Sequence, residues 1–64
     1  MSTPEVFEFA DSLLALHRAG DPVSQLHALR AVNLLLAGTD GNRSARARRV
    51  ARLIKAFDLK IAVV

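Results

Sequence analysis

Five arginines fall within ten residues, at Arg43, Arg46, Arg48, Arg49 and Arg52, and Lys55 follows close behind. Guanidinium groups present paired N–H donors that fit the oxygens of phosphate or carboxylate. The chemistry to expect is recognition of an anionic partner, either nucleic acid or an acidic protein surface. The expected contact set is Arg43, Arg46, Arg48, Arg49, Arg52 and Lys55.

Other chemistries find little support in the residues. The chain has no cysteine, so neither a disulfide nor a thiolate zinc site can form. His17 and His27 are the only nitrogen ligands and fall on different predicted helices, so no metal site is expected. Ser12, Ser24, Ser44 and the two histidines stand in no nucleophile context. An enzyme is not expected, and no cofactor is called for. The phenylalanines sit on apolar stripes and tyrosine and tryptophan are absent, which disfavours stacking on single-stranded bases.

Charge is segregated along the chain. Residues 1–42 carry two arginines against five acids, a net of −3; residues 43–64 carry seven bases against Asp58, a net of +6. Surfaces that only confer solubility usually mix signs, whereas segregated signs create a field that draws in a partner. Arg43 and Arg46 also lie near the start of a helix, where positive charge opposes the helix dipole. Free backbone N–H groups there, together with arginine, form a cradle for phosphate.

Three predicted helices must position these residues, at about 4–19, 22–37 and 44–60. In the first, Thr3 is the expected N-cap and Pro4 the first helical residue, with Glu5 and Glu8 favourable at the positive end. Its apolar residues Val6, Phe9, Ala10, Leu13, Leu14 and Leu16 recur near the helical period, and Gly20 is the expected left-handed cap. Asp21-Pro22 starts the second helix, with apolar Val23, Leu26, Leu29, Val32, Leu35 and Leu36, and Gly38 ends it. Thr39-Asp40-Gly41-Asn42 reads as a loop. In the third helix, Ala47, Val50, Ile54, Phe57 and Ile61 lie within about 40° of one line, widened by Leu53 and Ala51. Arg48, Arg49, Arg52, Lys55 and Lys60 centre on the opposite side. The tail after Lys60 reads either as helix or as an extended apolar arm.

The fold class that follows is all-α, one domain over residues 1–64, as a small three-helix bundle or an open three-helix array. Sixty-four residues bury only about 60% of their unfolded surface, and 52% of this chain is hydrophobic. That excess predicts a homodimer. The apolar end of the second helix, Leu34, Leu35 and Leu36, with Val63 of the tail, is the expected interface for a dimer or another partner. Asn33 beside it could set the register of such a contact.

Two functions fit. The first is a small nucleic-acid-binding regulator whose basic third helix lies on the phosphate backbone. A helix-turn-helix arrangement fits imperfectly, because Gly38 to Asn42 is longer than the usual turn and helix 3 holds no Asn or Gln to read bases. The alternative is a protein-interaction module, an adaptor, inhibitor or modulator of a larger host protein, without nucleic-acid binding. No run of about 18 apolar residues is present, so a membrane role is not expected, and no secretory signal is legible, so the cytoplasm is the expected location.

Overall fold

The computed structural model describes residues 2–38 and 41–60. The loop residues Thr39 and Asp40, and the tail residues Ile61 to Val64 with the expected interface residue Val63, lie outside the described residues. The described chain forms α1 (Thr3–Arg18), α2 (Gln25–Ala37) and α3 (Arg43–Phe57).

The ends of α1 follow local hydrogen-bonding chemistry. The N-cap is Ser2, not Thr3: its Oγ accepts from the Glu5 N–H at 3.4 Å and donates to the Glu5 carboxylate at 3.0 Å. Ser2 holds the extended backbone that a cap requires, and this shifts Thr3 into the first turn. At the other end the Asp21 N–H reaches the Leu16 carbonyl and the Gly20 N–H reaches the His17 carbonyl. That paired closure is a Schellman motif, and Gly20 supplies the left-handed residue it needs, at φ 81°.

The second helix starts later than Asp21-Pro22. Ser24 caps it, accepting from the Leu26 N–H at 3.2 Å, so residues 21–24 are a connector. The third helix ends at Phe57 rather than near residue 60. Asp58 turns left-handed at φ 51°, and the Leu59 N–H closes back on the Ile54 carbonyl at 3.0 Å. Leu59 is thereby folded into the core.

Each helix packs against both others, so the molecule is a closed bundle rather than an open array. Contacts at Thr3–Arg46, Asp11–Arg49 and His17–Phe57 rise together in number, so α1 and α3 run parallel. Gln25–Phe57 and Leu35–Arg46 run in opposite order, so α2 lies antiparallel to α3. The core is Val6, Ala10, Leu13 and Leu14 of α1, Ala28, Ala31, Val32 and Leu35 of α2, and Leu53 and Phe57 of α3, with Leu59. Ala10, Ala28 and Ala31 are wholly buried, and such small side chains let helices approach closely.

The core-facing line of α3 is turned from the expected one. Leu53, fully buried, is its centre, whereas Ala47 and Ala51 are exposed. The reason is visible at the start of the helix, where Arg46 takes an inward position that the apolar pattern did not assign. On α1, Leu16 is exposed and Phe9 only partly buried, although both were expected on the core stripe. On α2, Leu35 is 1% exposed and belongs to the core, not to an interface. Leu34 is partly buried, while Leu36 (64%) and Leu26 (75%) face outward, although both belong to the apolar series of the second helix.

Candidate nucleic-acid interface

The basic residues of α3 divide into two groups once their neighbours are placed. Arg46 leaves the contact set first. It is 7% exposed, and its Nη1 donates to the carbonyls of Leu35 at 3.0 Å and Leu34 at 3.4 Å. Its Nη2 donates to Thr3 Oγ1 at 3.0 Å, and its guanidinium lies 5.6 Å from the Phe7 ring centre. Carbonyls of the last helical turn lack intrahelical donors and carry the negative end of the dipole, so a guanidinium satisfies both needs. Arg46 therefore closes the end of α2 instead of meeting a partner. Gly38 makes room for it: a β-carbon at Gly38 would overlap the Arg46 guanidinium. Gly38 has φ −71°, so it is required for space and not for a left-handed turn.

Gln25 gives the reciprocal contact. Its Nε2 donates to the Phe57 carbonyl at 2.9 Å, so the first residue of α2 caps the end of α3 while Arg46 caps the end of α2.

Arg49 is also engaged. Its Nε and Nη2 meet the two Asp11 oxygens at 3.0 and 3.1 Å, its Nη1 reaches the Ala45 carbonyl, and its guanidinium lies 4.0 Å from the Phe7 ring centre. Fork geometry and stacking on an aromatic face hold this side chain on the α1–α3 seam.

Arg43, Arg48, Arg52 and Lys55 remain exposed. Arg48, Arg52 and Lys55, at steps of four and three, share one side of α3. Among the described residues their side chains make no ion pair or hydrogen bond. Arg43 lies on another side of the helix, at its start. Lys60 stands beyond α3 near Gln25, Leu29 and Leu59, and so leaves the basic face expected for it.

Two residues outside the expected contact set, His17 and Arg18, stand close to Arg52 and Lys55. Leu14, His17 and Arg18 of α1 face Arg52, Lys55 and Ala56 of α3 across an open groove of about 440 Å³. The His17 ring packs on Phe57, with centroids 4.8 Å apart. Only the parallel packing of α1 and α3 brings these terminal turns together, and nothing local in the sequence signals it.

The described His, Asp and Glu residues form no cluster able to hold a metal. No described helix is long and apolar enough to cross a membrane. No protein-family model, curated protein or solved structure matches this chain. The geometry of the basic face is thus what bears on function.

Proposed function

We propose that this protein is a small nucleic-acid-binding regulator that holds the phosphate backbone through α3. The observation that carries the reading is the shared exposed side of Arg48, Arg52 and Lys55, with no acid among the described residues bonded to any of them. Ser44, Ala47 and Ala51 are also exposed on α3. Small side chains beside cations let the helix come close to a phosphate chain. The absence of an exposed Asn or Gln along α3 favours backbone contact over reading of base edges. Such a protein has no catalytic step, needs no cofactor, and works in the cytoplasm.

The test is titration of short labelled duplex DNA and RNA at increasing salt. Three phosphate contacts predict a log–log slope of about −2.7. Replacing Arg48, Arg52 and Lys55 together with Ala should abolish binding and preserve the helical signal. A salt-independent affinity, or none at low salt, would overturn the reading.

One observation favours a second reading, a protein-interaction module. Leu26 and Leu36 are large apolar residues left outside the bundle. Both stand on α2, where large exposed apolar side chains offer area to a partner. With Leu34 and Asn33 they fit a homodimer contact through α2, which is compatible with α3 serving nucleic acid.

A further inference from the structure

We propose that the groove between the C-terminal turns of α1 and α3 is a phosphate seat, and that α1 therefore belongs to the nucleic-acid interface. The proposal rests on the nucleic-acid reading and deepens it: it adds Arg18 and His17 to a contact surface that would otherwise lie on α3 alone.

The seam between α1 and α3 has two unlike halves. Toward its beginning, Asp11 neutralises Arg49. Toward its end, Arg18, Arg52 and Lys55 converge with His17 on one groove, and among the described residues no carboxylate lines it. Asp58 is turned away and lines a separate hollow with Gln25, Leu29, Leu59 and Lys60.

Cations at helix ends have an ordinary explanation in the dipole, so the magnitudes decide. Two helix C-termini together contribute about −1 of charge. Arg18, Arg52 and Lys55 bring three positive charges, and their side chains are unbonded among the described residues. An excess of positive charge remains in an open groove that the apolar residues Leu14 and Ala56 also line. Arg18 comes from one wall and Arg52 and Lys55 from the other. Donors that converge from opposite walls suit a tetrahedral anion, which accepts from several directions, better than a flat carboxylate. His17, held by Phe57, offers a further ring nitrogen.

A phosphate seated there lies across the seam, so the strand crosses from α3 to α1. This makes α3 one wall of a backbone clamp rather than a helix inserted alone into the major groove.

The experiment compares labelled duplex binding by the unmodified protein, Arg18→Ala, Arg52→Ala and Arg30→Ala. Arg30 is an exposed cation of α2 on a different surface, and its replacement removes the same charge elsewhere. Arg18→Ala should weaken binding roughly fivefold and lower the salt slope by about 1, as Arg52→Ala does, with Arg30→Ala close to the unmodified protein. If the unmodified protein binds and Arg18→Ala behaves as Arg30→Ala does, the seat is wrong and the nucleic-acid reading stands. If the unmodified protein binds no duplex, both fall. Poly-glutamate of matched charge provides the remaining arm: weak competition against the duplex supports a phosphate seat, and equal competition overturns it in favour of an acidic protein partner.

Discussion

The guanidinium of Arg46 sits 3.0 Å from the carbonyl oxygen of Leu35, so the first turn of α3 terminates α2. Removing this group takes a donor from the Leu34 carbonyl and leaves the Leu35 carbonyl with the Gly38 N–H at 3.4 Å, in a part-buried site. Arg46→Met should cost about 2–3 kcal/mol of stability, measured by urea denaturation followed by circular dichroism. Arg46→Lys should recover only part of it, because an ammonium cannot span acceptors on two helices as a planar fork does. A variant as stable as the parent would remove Arg46 from its structural role.

Gly38→Ala tests the same contact from the other side. The new methyl group displaces the Arg46 guanidinium, and the expected loss is about 1–3 kcal/mol. In the Arg46→Met background the same change should cost much less, since the shorter side chain vacates the space. Equal losses in both backgrounds would show that the two residues act independently.

Arg48 and Arg49 are sequence neighbours with opposite expected phenotypes. Arg49→Ala removes the Asp11 pair and the Phe7 contact and should cost about 1 kcal/mol of stability. Arg48→Ala should stay within about 0.5 kcal/mol of the parent, as exposed substitutions usually do. Duplex affinity should fall more for Arg48→Ala. Paired melting and anisotropy measurements decide this, and a common phenotype would dissolve the division of the arginines.

Asp58→Gly should stabilise the fold. An L-residue in the left-handed region is strained relative to glycine, although aspartate tolerates it better than most. A gain of about 0.5–1 kcal/mol is expected in thermal melts. A loss would reveal a favourable contact of the Asp58 carboxylate.

The proposed homodimer contact is tested at the two most exposed large apolar residues of α2, Leu26 and Leu36. The unmodified chain should sediment as a dimer at micromolar concentration, and Leu26→Gln with Leu36→Gln as a folded monomer. A monomeric parent protein would withdraw the α2 dimer contact.

The three-helix architecture was legible because punctuation and period agree: Ser and Pro near the starts, Gly20 at a turn, and apolar steps of three and four between. Boundaries slipped where two capping residues competed. Ser2 and Thr3 both suit an N-cap, and Ser24 displaced Asp21 because the backbone of residues 21–24 stays outside the helix. The basic face was legible at Arg48, Arg52 and Lys55, which project from the bundle. It failed at Arg46 and Arg49, because an arginine counts as polar in any period analysis. Its burial depends on carbonyls, a hydroxyl, a carboxylate and a ring supplied by distant segments. The groove that Arg18 and His17 share with Arg52 and Lys55 was not legible either, since neighbours on α3 are known only from topology.

The parallel course of α1 and α3 has a consequence for how the chain is made. Thr3 waits for Arg46, a partner 43 positions later, and His17 waits for Phe57. Both neighbouring pairs, α1 with α2 and α2 with α3, can form as local hairpins, whereas the α1–α3 seam closes only when the two ends of the bundle meet. During synthesis the side of α1 that faces α3 stays uncovered until α3 has been made, even after α2 has docked. That interval is when the newborn polypeptide is most exposed to chaperones and to misassembly.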